Sequence, residues 1–363
     1  MKYCSSCGQC LSDNCDFCPV CGHNAFDAES TQKNPYEAEK YVRSGVKYSY
    51  VKPKVTITLI VINVIVFLII NLFNMAGSDL TSLLSMHRGA VASGQIYRII
   101  TSVFTHEDLF HLLSNCYALY IYGMMLEPAV GKVKYLLIYF AGGLIGNFLT
   151  FAFMGNPSIG ASGAIFGLLG AVIAIYYINP TAMNRMLMKN VVACVVITTI
   201  YSFTGGINNI AHFGGMFGGY MMTCICVGTR FRKRIITSRA LMAVILVVVL
   251  VGSVFSGIPK IDGANEKQYG NYTLMCFFAS FGNYKAAKGF AEDIVSAGES
   301  YYIMDALVTE AVYGIKSGDR EKAEEKLSEV TTYAAKGYFL TDKNIYEDFR
   351  RLVGLVSADG TEG

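Results

Sequence analysis

The chain has 363 residues, 53% of them hydrophobic and only 16% charged, with 30 Lys and Arg against 27 Asp and Glu. That composition excludes an ordinary soluble enzyme and points to a membrane protein of two or three domains. A formal net charge of +3 is small and says little globally, its distribution along the chain mattering more; no nucleic-acid partner is expected.

The first 50 residues are polar and cysteine-rich and lack a basic-then-apolar start, so the first apolar run is expected to remain as an uncleaved anchor. Six of the eleven cysteines crowd into the first 21 residues. Cys4-x-x-Cys7 and Cys18-x-x-Cys21 are two knuckles, each followed by a glycine, that supply four thiolates to one tetrahedral ion. Residues 1–26 are therefore expected to be a cytosolic zinc ribbon, resembling other small ribbons, with a structural Zn2+ or a protein partner as its role. Redox or disulfide-bonded pairs are the competing reading. Cys10 and Cys15 are further thiols, so the ligand set stays open, and His23 is a bystander. Residues 27–53 are polar and read as a linker.

Seven apolar runs follow, at about 55–73, 109–128, 135–154, 163–178, 190–204, 210–228 and 240–257, the fifth being short. Lys47, Lys52 and Lys54, then Lys132 and Lys134, then Arg185 and Lys189, then Arg230 to Arg239 fall on alternate connections. That alternation predicts a cytoplasmic N-terminus and an extracytoplasmic C-terminal part. The expected class is an all-α polytopic membrane protein. Its domains are a six-helix core over 54–228, a basic loop with a seventh helix over 229–258, and a soluble helical part over 259–363. Between the first two runs, residues 75–108 are too apolar for a plain loop and too interrupted to span, so an amphipathic structure in the outer interface is expected. Arg88 and Arg98 would anchor it to headgroups or to the protein. In the last part, Gly282-Asn283 and Gly318-Asp319 lie 36 residues apart, each between two helical segments. The spacing resembles a degenerate tetratricopeptide pattern; a generic helical hairpin is the alternative.

The topology puts Ser162, His212, His111 and Asn115 at one shallow level near the outer ends of three helices. Polar groups inside a membrane cost free energy unless partnered, so their shared depth marks a water-accessible site. A serine hydroxyl needs a base to become a nucleophile, and histidine is the usual one. No carboxylate lies at that depth: Glu107 and Asp108 sit at the outer edge and Glu127 at the inner end of the second run. An acid-free Ser162–His212 dyad is therefore predicted. Gly163-x-x-x-Gly167 and Gly215-x-x-x-Gly219 would let the two helices touch, and Phe166 would stack on the imidazole. A tetrahedral oxyanion would find donors in the Ser162 amide beside Gly160, in His111 and in Asn115, the last two sharing a helix face. His106 is read as a loop-structuring residue and His87 as an interface residue.

Gly160-Ala161-Ser162-Gly163, Ala211-His212-x-x-Gly215-x-x-x-Gly219 and His111-x-x-x-Asn115 together resemble the rhomboid family of intramembrane serine proteases, over about residues 55–228. Tyr97-Arg98 stands where the family has Trp-Arg, and Gly123 and Glu127 match its G-x-x-x-E. The resemblance implies Ser162 as nucleophile, His212 as base and then acid, and His111, Asn115 and the Ser162 amide as the oxyanion site. It implies cleavage of transmembrane substrates in the lipid bilayer near the outer face, without a catalytic cofactor. The module order resembles bacterial members, which implies a bacterial plasma membrane, with the ribbon and tail free to bind protein partners. A catalytically silent adaptor that binds transmembrane helices and a transporter are the rival readings.

Overall fold

The computed structural model describes residues 2–3, 10–11, 53–154, 157–178, 191–193, 208–227, 239–257 and 263–359. Two short antiparallel strands, β1 (Lys2–Tyr3) and β2 (Cys10–Leu11), pair Tyr3 with Cys10. The longer elements among the described residues are all helices. Cys4, Cys7, Cys18 and Cys21 lie outside the described residues, as does most of the expected fifth span, of which only 191–193 is seen as helix.

The helices are α1 (Lys54–Met75), α2 (Leu80–Leu84), α3 (Arg88–Ala92), α4 (Arg98–Thr101), α5 (Leu109–Val130), α6 (Lys132–Phe153), α7 (Ser162–Ile178), α8 (Asn209–Val227), α9 (Arg239–Gly257), α10 (Gly263–Ser280), α11 (Tyr284–Ser296), α12 (Ile303–Ser317), α13 (Arg320–Ala335) and α14 (Lys343–Asp359). Four of them, α1, α5, α6 and α8, are long and apolar enough to cross a membrane, and α7 and α9 contain shorter apolar helices. Six of the seven expected spans are thus helices within a few residues of their predicted bounds. The chain divides into two compact units.

The first unit holds the start of α1 with α5 to α9. Glu127, near the end of α5, is buried and accepts hydrogen bonds from Val55 N (3.0 Å), Thr56 N (2.7 Å) and Thr56 Oγ1 (2.9 Å). A carboxylate thus caps the free amides of α1's first turn. One turn earlier on α5, a Cβ on Gly123 would lie 2.5 Å from the Thr56 side chain. The Gly-x-x-x-Glu spacing therefore has a local cause: the glycine admits α1 and the glutamate holds its end. Across the unit, Ile145, Met221 and Leu246 bring α6, α8 and α9 together, with Leu149, Ile225, Met242 and Val249 around them.

The second unit holds the C-terminal part of α1 from Val66, the segment 76–105 and the C-terminal helices. Its core is Ala287, Ala291 and Ile294 of α11 against Ala306, Leu307, Val308 and Ala311 of α12, with Met275, Val330, Ile345 and Leu352 from their neighbours. Gly282 (φ +70°) and Gly318 (φ +83°) end one helix each in the left-handed region. Asn283 and Asp319 then cap the next helix, their side chains accepting from Ala286 N and Lys322 N. This is why the Gly-Asn and Gly-Asp pairs recur: each is a stop followed by a start. Buried Asp305 accepts from Thr341 N, Thr341 Oγ1 and Asp342 N, which fixes the entry to α14.

The segment 75–108, expected as one amphipathic structure, is three short helices, α2 to α4. Arg98 within it is fully buried rather than interfacial, and Arg88 pairs with Glu266 of α10.

Candidate active site

Ser162 is the first residue of α7 and His212 lies in the first turn of α8. Their side chains meet, with Ser162 Oγ 2.8 Å from His212 Nε2. For Nε2 to accept the hydroxyl proton, the ring's own proton must sit on Nδ1, and that nitrogen has no hydrogen-bond partner among the described residues. The Phe166 ring, one turn along α7, stacks on the imidazole at 4.2 Å between centroids and 4° between planes. His212 is 7% exposed, so its ring has one face covered by Phe166 and one edge on the serine.

Glycine backbones bring the two helices this close. A Cβ on Gly215 would overlap the Gly163 carbonyl oxygen, and one on Gly219 would overlap that of Gly167. The expected small-residue faces therefore do meet.

His111 and Asn115 sit one turn apart on α5. Both approach Gly160, which adopts φ +109° just before Ser162. A Cβ there would stand 2.6 Å from His111 Nε2 and 3.7 Å from Asn115 Nδ2. Position 160 thus needs glycine twice over, for its backbone angle and for the space the imidazole takes. Asn115 Nδ2 donates to His111 O at 3.0 Å, which leaves its second N–H for another acceptor. The Ser162 amide, at the start of α7, has no acceptor within the helix. His111 Nε2 and Asn115 Nδ2 thus lie beside Gly160, two residues before the serine. Asp108 is the cap of α5, its Oδ1 accepting from His111 N at 2.8 Å. His106 is buried and meets the His111 ring edge-on at 5.1 Å.

Sequence reasoning missed two supports. The first is Asn208, whose Oδ1 accepts from Ala211 N (2.9 Å) and whose backbone oxygen accepts from His212 N (3.2 Å), so it caps the helix that carries the histidine. Asn208 Nδ2 in turn donates to Thr150 Oγ1 of α6 at 2.9 Å. An asparagine four residues before the histidine was the available signal. The second is a glycine face on α6. A Cβ on Gly142 would lie 2.7 Å from Gly167 Cα, and one on Gly146 2.5 Å from Ala211 O. Two helices were expected to touch through glycines; three do.

Comparison with known proteins agrees with this geometry. The Rhomboid domain matches residues 93–229. The chain is 29% identical over 214 residues to "Rhomboid protease GluP" of Bacillus subtilis, covering 57% of this chain and 41% of that protein. It is 32% identical over 146 residues to "Putative rhomboid protease YdcA" of the same organism, covering 39% of this chain and 73% of that one. With "RHOMBOID-like protein 7" of Arabidopsis thaliana it shares 36% identity over 148 residues, covering 37% of this chain and 46% of the relative. The chain thus spans less than half the length of two of these three relatives. Nearly three quarters of YdcA aligns at 32% identity, and the Rhomboid-domain match over 93–229 contains Ser162, His212, His111 and Asn115. On that likeness the chain belongs to the rhomboid family and is a multi-pass membrane protein.

Proposed function

We propose that this chain is an intramembrane serine endopeptidase that hydrolyses peptide bonds in or beside the transmembrane helices of other membrane proteins. The 2.8 Å contact between Ser162 Oγ and His212 Nε2 carries the reading. In it, Ser162 Oγ attacks the scissile carbonyl carbon as its proton passes to His212 Nε2. The carbonyl oxygen becomes an oxyanion that receives hydrogen bonds from the Ser162 amide, His111 Nε2–H and Asn115 Nδ2. Collapse of the intermediate expels the amine, which takes the proton from the imidazolium and leaves an acyl-serine. A water molecule, its proton drawn to His212, then attacks the acyl carbon and releases the carboxylate product and the serine. Phe166 restricts the ring to the plane in which Nε2 serves both steps. Burial of His212 does the work of a third acid in part, because a packed ring needs less help to hold its orientation.

The charge alternation supports a cytoplasmic N-terminus, which puts this site and the C-terminal helices on the extracytoplasmic side of a bacterial plasma membrane. In the N-terminal part, the strand pair β1–β2 brackets Cys4 and Cys7 as a ribbon's first knuckle would require. Cys4, Cys7, Cys18 and Cys21 would hold a structural zinc ion there. The two capped hairpins over 263–335 support a tetratricopeptide-like tail.

The test is incubation of purified wild type and Ser162→Ala with a model single-pass membrane substrate. Cleavage by wild type alone is expected. Equal product from both proteins, or binding of the substrate helix without product from either, would replace the protease with a silent adaptor.

A further inference from the structure

The segment 76–105 and helix α10 are far apart in sequence and lie along each other in the second unit. At one end Ser78 Oγ and Ser280 Oγ are 2.6 Å apart, and Asn344 Nδ2 donates to Gly77 O. Next, Leu80 and Leu83 pack with Ile70 against Leu274 and Phe277. In the middle the Arg98 guanidinium is 0% exposed. It donates to Gln95 Oε1 (2.7 Å), to Ser85 O (3.0 Å), to Ser82 O, and to Thr273 Oγ1 of α10 (2.7 Å). Beside it a Cβ on Gly270 would stand 2.5 Å from Ser93 Oγ and 2.7 Å from Gln95 Nε2, so the backbones are in close approach. The His87 ring stacks on Tyr269 at 3.8 Å and 22°. At the far end Arg88 Nε pairs with Glu266 Oε1 at 2.6 Å, both side chains largely buried at 12% and 18% exposed.

This is more than a surface contact, because the segment does not hold itself together. Its helices have five, five and four residues, each below the length at which a helix is stable alone. A buried guanidinium needs every donor matched, and one of its acceptors belongs to the tail. Remove α10, and Arg98 loses Thr273, Arg88 loses Glu266, and Leu80 and Leu83 lose part of their cover.

We infer that the C-terminal part is an intramolecular clamp whose docking surface is the inner face of 76–105. Through that segment it sets the rate at which a membrane-embedded substrate is cleaved. The route is covalent: the segment runs directly into α5, which bears His111 and Asn115. The kinetic half of the inference rests on the protease reading above; the docking half does not.

The full-length protein in detergent micelles, and in liposomes for cleavage, tests both halves. Glu266→Arg places like charges at the far end of the clamp. Amide hydrogen exchange over 80–101 is expected to rise about tenfold or more, and kcat for a single-pass substrate to fall. Labelling of Ser162 by a small fluorophosphonate should persist, since that reagent needs only the serine and histidine. The double variant Arg88→Glu/Glu266→Arg restores the pair with its sense reversed and should recover slow exchange and kcat together. Unchanged exchange in Glu266→Arg combined with Gly270→Leu would overturn the docking. Raised exchange with unchanged kcat would overturn the kinetic role. Should wild type cleave nothing, the exchange comparison alone still decides whether the clamp exists, and the protease reading fails separately.

Discussion

Gly160 shows how much one residue carries here. Its φ of +109° is open to glycine and costly for other residues, and the space its side chain would fill belongs to His111. On the proposed mechanism, Gly160→Ala is expected to lower kcat about 10²-fold, by displacing His111 and Asn115 from the proposed oxyanion site, while the helices stay folded; fluorophosphonate labelling and circular dichroism measured side by side would separate the two effects. Asn208 acts one step further away. Asn208→Ala removes a helix cap and should cost about 1 kcal/mol of stability. It should also lower kcat with little change in KM, because it leaves the start of α8 free to shift His212. Asn208→Asp keeps the acceptor for Ala211 N and should recover most of both. Ser162, His212, His111 and Asn115 stand out in the sequence because each is a polar residue near one end of an apolar run, and the structure brings Ser162 and His212 into contact. Asn208 offered only a weak signal, because an asparagine in a polar connection looks the same whether or not it caps a helix. Only its bond to Thr150, 58 residues away, marks it out.

At the level of elements, continuous apolar runs made α1, α5, α6, α7, α8 and α9 readable almost to their ends, since a membrane span leaves few alternatives. Their packing was readable only in part. The α7–α8 contact has a glycine every fourth residue on both sides, a pattern visible in one dimension. The α6 face presents Gly142 and Gly146 to two different helices, so neither partner is implied by the sequence of α6. The short helices α2 to α4 were legible as something neither loop nor span, but their packing against α10 is encoded by no local pattern. The glycine contacts give a direct comparison. Gly219→Ala puts a methyl into the Gly167 carbonyl and should cost about 1–3 kcal/mol as α8 moves off α7. Gly252→Ala on α9 meets nothing within 4 Å and should be neutral or stabilise by about 0.5–1 kcal/mol. Thermal unfolding in one detergent, with Ser162 labelling as the second readout, checks both; equal losses would mean that glycine flexibility, and not close approach, is what α8 needs.

Over the whole molecule, the composition changes near residue 258, yet the second compact unit begins at Val66 and takes in 76–105 as well. Nothing in a single sequence joins Arg88 to Glu266 across 178 positions. That union has a consequence for pH. His87, packed on Tyr269 of α10, lies near Glu266 of the same helix, Arg88 of α3 and Arg98 of α4. Burial lowers its pKa from 6.5 to about 4, the two arginines lower it further, and Glu266 opposes them. In the unfolded chain His87 takes up its proton near pH 6.5, while in the folded unit it resists doing so down to about pH 4. The neutral ring therefore contributes its full stability above the unfolded pKa, and that stability is lost as pH falls from about 6.5 towards 4. Asp305 works in the other direction. Burial raises its carboxyl from 3.8 to about 6, against hydrogen bonds from Thr341 and Asp342, so its contribution declines as pH rises through that range. The two slopes oppose each other, so a wild-type pH profile by itself would not isolate His87. The informative quantity is the difference between wild type and His87→Gln, which keeps a neutral group of similar size and removes the titration. Hydrogen exchange over 80–101 should converge for the two proteins at pH 7.5. As pH falls to 4.5, wild type should exchange increasingly faster than His87→Gln, and a difference that stays constant with pH would remove His87 from the account.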